Sequence, residues 1–170
     1  IADYAFDLIT SVSKLDISVD VYSNCNNPRK AEGINIYNIK HKNIEDSHDY
    51  DLIVHHIGNN AEFHDYMIDS VKRHGGVIHL HDAVLLHMMT ALALKKGGLF
   101  QLLYSIEKWY GKLPAVLYGR LMQLDNMTLN DDIVSFIPLF EEAVQYADAC
   151  IVHSEFVKKR IQSVFPDINI

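Results

Sequence analysis

Asp51-Leu52-Ile53-Val54-His55-His56-Ile57 reads as a strand buried on both faces and is stopped by Gly58-Asn59-Asn60. No other segment constrains the fold as strongly. A strand that is hydrophobic without alternation, followed by a helix, belongs to a parallel sheet covered on both faces. The neighbouring segments keep that rhythm. Phe63, Tyr66, Met67 and Val71 repeat at helical spacing, Gly75-Gly76 closes the helix, and Val77-Ile78-His79-Leu80 is the next strand. A helix is expected from Ala83 to Lys95-Lys96, and Ala149-Cys150-Ile151-Val152-His153 is a strand with Ser154 as N-cap of a last helix.

The rest of the chain fits the same scheme. Ala5, Leu8, Ile9 and Val12 mark a helix over residues 2–14, and residues 17–22 and 34–39 read as short strands. Residues 41–50 and 125–132 read as polar loops. Residues 99–110 and 113–124 read as helices, as does the stretch from Pro138 to Tyr146. Ile168 to Ile170 begins a further strand. The expected class is α/β, a doubly wound, mostly parallel sheet with a helical insertion near 95–135, in one domain over residues 1–170.

Composition narrows the partners. The net charge of −7 opposes a general nucleic-acid binder. Cys25 and Cys150 read as free thiols of a reducing compartment. No apolar run reaches the ~18 residues of a membrane span, and no signal segment opens the chain. Ile1 enters a helical pattern directly, so the chain reads as a fragment of a cytoplasmic protein.

In doubly wound sheets, ligands bind beyond the carboxyl ends of the strands. Three such ends are polar here: His55 to Asn60, His79-Leu80-His81-Asp82, and His153-Ser154-Glu155. His79 lies within its strand, where a core histidine bonded to a neighbour is the simpler reading. His81 stands at the tip and is the functional candidate. Asp82 is a candidate cap for the helix that follows, and His87 reads as structural.

A metal site on His79 and His81 would require the strand to end between them. Further ligands would have to come from His55, His56, His64 or Asp82. No Cys-x-x-Cys, no His-Glu-x-x-His and no second His-x-His supports one, so no metal is expected. Gly-x-Ser-x-Gly, Gly-x-x-x-x-Gly-Lys and Gly-x-Gly-x-x-Gly are missing too. Asp131-Asp132 and Glu141-Glu142 read as solvated surface pairs.

Lys95, Lys96, Lys108, Lys112 and Arg120 face a single acid, Glu107, among Phe100, Tyr104, Trp109, Tyr110 and Tyr118. A basic, aromatic helix pair suits an anionic membrane surface; a hairpin packed on its own domain or on a partner is the alternative.

Three ordered stretches resemble the N-terminal half of GT-B-fold retaining glycosyltransferases of family 4. Ile1-Ala2-Asp3-Tyr4 is similar to the end of that family's Gly-Ile-Ala-Asp-Tyr segment. The stretch YDLIVHHIGNNAEFHDYMIDSVKRHGGVIHLHDAVLLHMM resembles its strand, Gly-Asn-Asn loop, helix and strand ending in Leu-His-Asp. YADACIVHSEFVKKRI is similar to its Ile-Val-His-Ser junction.

The resemblance implies a Rossmann-like half of a two-domain enzyme moving a hexose from a nucleotide sugar to a glycan or lipid-linked acceptor. No metal or other cofactor is implied. His81 would be the catalytic histidine, contacting the transferred sugar. Asp3, Tyr4, Asn59, Asn60, Asp82 and Ser154 would line the substrate. The same resemblance implies a first strand with a glycine-rich loop before Ile1. It also implies a nucleotide-sugar domain with a Glu-x7-Glu element after Ile170, without which the fragment would be inactive. Apart from it, two readings of the residues stay open: a metal-dependent hydrolase built on His79 and His81, and a non-catalytic binding module.

Overall fold

The computed structural model describes residues 2–42, 44, 49–123 and 131–170. The chain is α/β, with two small parallel sheets, and divides into two compact units, Ile1–Asp51 and Leu52–Ile170. The first unit holds α1 (Ala2–Val12), β1 (Val19–Ser23) and β2 (Ile34–Asn38), with β1 and β2 parallel and Val21 opposite Ile36. A polar knot closes its sheet: the Tyr50 hydroxyl donates to Asp20 Oδ2 at 3.0 Å and lies 2.8 Å from the Tyr22 hydroxyl.

The second unit begins with β3 (Val54–Ile57), α2 (Ala61–His64), α3 (Met67–His74) and β4 (Val77–Leu80). Then come α4 (Leu86–Lys96), α5 (Leu99–Tyr110), α6 (Lys112–Leu121), α7 (Asp131–Phe136) and α8 (Glu141–Val144). β5 (Ala149–Val152) and α9 (Glu155–Val164) complete it. The sheet order is β3-β4-β5, all parallel, with Val54, Val77 and Ala149 in register. The strand foreseen at the C-terminus is a single parallel bridge, Ala149 to Asn169.

Alternation sorts the two faces of this sheet. Ile57, Ile78, Leu80 and Cys150 pack on Ile68, Val71, Met88, Phe140 and Ile161 in one core. The opposite face carries Val54, His56, His79 and Ile151, and is half open: Ile151 is 45% exposed. The expectation of strands buried on both faces therefore holds for one face only. Gly76 secures the entry to β4. Its φ of 93° suits glycine, and a Cβ there would lie 2.6 Å from the Ile53 carbonyl oxygen.

The expected helix after Gly58-Asn59-Asn60 is broken into α2 and α3 at Asp65-Tyr66. The one expected from Pro138 starts only at Glu141, because Leu139 takes a φ of 58°. The expected loop 125–132 lies outside the described residues as far as 130, and Asp131 opens α7. Helices α5 and α6 form a hairpin that shares a second core with α4 and α7, built on Leu86, Leu102, Ile106, Ala115, Tyr118 and Val134.

Glu141 and Glu142 are not the solvated pair that their polarity suggests. They are 4% and 7% exposed. The Tyr110 hydroxyl donates to Glu141 Oε2 at 2.5 Å, and Trp109 Nε1 donates to Glu142 Oε1 at 2.7 Å. Buried carboxylates require such donors, and α5 supplies them from its last turn. Both cysteines are free thiols, with Cys150 buried. Among the described residues no helix is long and apolar enough to cross a membrane.

Candidate functional site

Parallel register decides what meets at the carboxyl ends of β3, β4 and β5. His56 is the register partner of His79, and Leu80 that of Val152, so His81 and His153 follow side by side. His79 and His81 are two apart and share the open face. Four imidazoles thus converge from three strands. His56 Nδ1 lies 3.0 Å from His81 Nε2, His79 Nε2 lies 3.2 Å from His153 Nε2, and His153 Nε2 lies 3.3 Å from His81 Nδ1. Ring centroids are 4.4 Å apart for His79 and His81, and 4.9 Å for His56 and His79. His79 is 1% exposed, enclosed by the other rings.

Desolvation dominates the electrostatics of this group, reinforced by neighbouring imidazoles that repel a second proton. Together they push His56 down to about 4 and His81 to about 3, and lower His79 as well. At neutral pH His56, His79 and His81 are uncharged. Each then offers one N–H and one lone pair, a set able to orient a hydroxyl or to ligate a soft cation.

The loop after β3 is held against the tip of β4. The Asn59 backbone N–H donates to Asp82 Oδ2 at 2.8 Å. Asn59 Oδ1 accepts from the Met88 N–H at 2.9 Å, and its Nδ2 donates to His87 Nδ1 at 3.0 Å. Asn59, not Asp82, therefore supplies the side-chain acceptor in the first turn of α4. Asn60 caps α2 by accepting from the Glu62 N–H at 2.9 Å, and Ser154 caps α9 by accepting from the Val157 N–H at 3.3 Å. His87 is exposed, although it falls in an apolar stretch.

His81, Asn59, Asn60, Asp82 and Ser154 all stand at the carboxyl end of the second unit's sheet. Asp3 and Tyr4 lie in α1 of the first unit; Tyr4 is exposed, and the Asp3 side chain lies outside the described residues. Two of the further ligand candidates serve the framework. His55 Nε2 donates to the Gly75 carbonyl and His64 Nδ1 to the His56 carbonyl, each at 2.9 Å.

Sequence reasoning placed His153 at a polar strand end but not among the site residues. It sat in the motif Val-His-Ser, but only pairing of β5 with β4 sets it beside His81. Among the described residues, His56, His79 and His81 have ligand atoms within 4.8 Å of one another, the one such group of metal-competent side chains.

Comparison with protein-family models, with curated proteins and with solved structures finds no match to this chain.

Proposed function

We propose that this chain is the acceptor-side, Rossmann-like half of a retaining glycosyltransferase, moving a hexose from a nucleotide sugar to a glycan or lipid-linked acceptor. One observation carries the reading: His81, Asn59, Asp82 and His153 converge at the carboxyl ends of three parallel strands, where α/β sheets bind ligands. Two of the three ordered stretches of the resemblance cover these strand ends.

In this reading a second, nucleotide-sugar domain faces the same edge. His81 is neutral, and its half-buried ring hydrogen-bonds a sugar hydroxyl. It orients the ring for an oxocarbenium-like transition state, whose charge the leaving phosphate and positioned dipoles stabilise. Asn59, Asn60, Asp82 and Ser154 line the substrate, and no cofactor takes part in transfer. The enzyme works in the cytoplasm against the inner face of the membrane. Phe100, Tyr104, Leu113 and Leu117 are exposed along α5 and α6 and suit contact with a lipid surface, with Lys112 and Arg120 on the same hairpin.

The test is release of nucleoside diphosphate from a panel of nucleotide sugars by the polypeptide that joins this chain to its nucleotide-sugar domain. Release that persists in EDTA and drops on His81→Ala is expected. No release from any donor, or release unchanged by His81→Ala, would overturn the reading.

A further inference from the structure

The open face of the β3-β4-β5 sheet carries four histidines where three strands end, and no sugar-orienting role needs so many. We propose that His56, His79 and His81 form a three-imidazole site for a divalent transition-metal ion of the zinc class, with His153 as the neighbour that holds the rings of His79 and His81.

The condition set by chain geometry is met. His79 and His81, two apart, share one face at the carboxyl end of β4, so both rings can reach one ion. The third ring comes from the adjacent strand, where His56 is in register with His79. A tetrahedral ion with bonds of about 2.1 Å to nitrogen holds its ligand atoms about 3.4 Å apart. His56 Nδ1 and His81 Nε2 are 3.0 Å apart, and the ligand atoms of all three residues lie within 4.8 Å of one another, so small rotations close them on one centre. A parallel sheet fixes the backbone of all three in advance.

The chemistry selects the ion. Three neutral imidazoles suit zinc, cobalt, nickel or copper, and discriminate against magnesium and calcium, which take oxygen ligands. The nearby carboxylate of Asp82 accepts the Asn59 N–H, which leaves the donor set to nitrogen. Ligating histidines are held through their second nitrogen. Here His81 turns Nε2 to His56 while its Nδ1 meets His153 Nε2 at 3.3 Å. The same His153 nitrogen is 3.2 Å from His79 Nε2. Three protein ligands leave a fourth position for water or a hydroxyl, as in catalytic zinc sites.

Metal binding and sugar contact share His81, so the ion takes this edge in place of a sugar hydroxyl, and the two readings fail in separate assays. The full chain, stripped with chelator, is dialysed against zinc chloride and counted by atomic emission. Cobalt(II) provides a visible spectrum that reports tetrahedral geometry. About one equivalent of zinc is expected, together with a tetrahedral cobalt spectrum that zinc abolishes.

His56→Gln and His81→Gln should each weaken binding by at least about 100-fold, while His41→Gln, exposed in the other unit, leaves it unchanged. X-ray absorption of the zinc-loaded wild type should count three imidazoles. This reading does not depend on any variant folding. Less than half an equivalent at saturation, fewer than two imidazoles on the ion, or affinity untouched by both variants would overturn the proposal.

Discussion

Two polar clusters in the second unit answer to opposite logic. Under α5, the carboxylates of Glu141 and Glu142 are each matched to a dedicated donor, Tyr110 and Trp109. At the strand ends, the imidazoles of His56, His79, His81 and His153 lean on one another. A carboxylate cannot be buried without donors, so its partners are part of the architecture. Neutral imidazoles can satisfy each other and still exchange a partner for a ligand. The first group holds the helical hairpin to the sheet layer, and the second stands where three parallel strands end.

The contrast is tested most strongly at Tyr110. Its hydroxyl serves both Glu141 and the Leu139 N–H, at 2.9 Å, in the strained turn before α8. Tyr110→Phe leaves both without that partner and should cost about 3 kcal/mol in denaturant unfolding. Replacing an imidazole at the tip should do the reverse. On the proposed reading, His81→Ala should lower nucleoside diphosphate release by about 100-fold, while unfolding moves by about 1 kcal/mol or less. A large stability loss at His81, or none at Tyr110, would erase the distinction.

Acid should pull the two groups apart. The histidines titrate lower in the folded state than their ordinary 6.5, His56 at about 4 and His81 at about 3. Between those values and 6.5 the unfolded chain binds more protons. Their contribution to stability is therefore complete above about 6.5 and shrinks as the pH falls through that window. Glu141 is raised by desolvation above its ordinary 4.5. Its folded form binds the extra proton, so its contribution is full below 4.5 and is lost as the pH rises through the folded value. Melting curves in chelator across this range should flatten at the acid end in His81→Gln and at the opposite slope in Glu141→Gln.

Smaller effects follow at the loop caps. Ser154→Ala and Asn60→Ala each remove an N-cap acceptor and should cost about 1 kcal/mol, read from thermal melts. Smallest of all, Lys95→Ala breaks an exposed pair with Asp65 at 3.4 Å and should shift stability by less than about 0.5 kcal/mol.

Local pattern carried much of the fold. The continuous run at residues 51–57 and the alternation at 17–22 put β3 and β1 within two or three residues of their observed starts. Helix α5 begins at Leu99 and ends at Tyr110, where the Gly98 and Gly111 boundaries place it. These features are set by neighbours along the chain: side-chain period, turn residues and caps. The break at Asp65-Tyr66 and the delayed start of α8 escaped the same reasoning. Apolar spacing continued through the first, and only the observed φ of Leu139 marks the second.

The same division runs through the candidate site. His81 at a strand end is visible in one dimension, and so are Asn59 and Asp82 beside their turns. The partners are another matter. His56 meets His81 across 25 positions, and His79 meets His153 across 74. Glu141 finds Tyr110 across 31. Periodicity has no reach at such separations. Those meetings depend on which strands pair and in what register, and on which helix lies over which turn. These are properties of long-range packing, whose free energy comes from burying apolar surface between segments and does not record which polar groups it brings together.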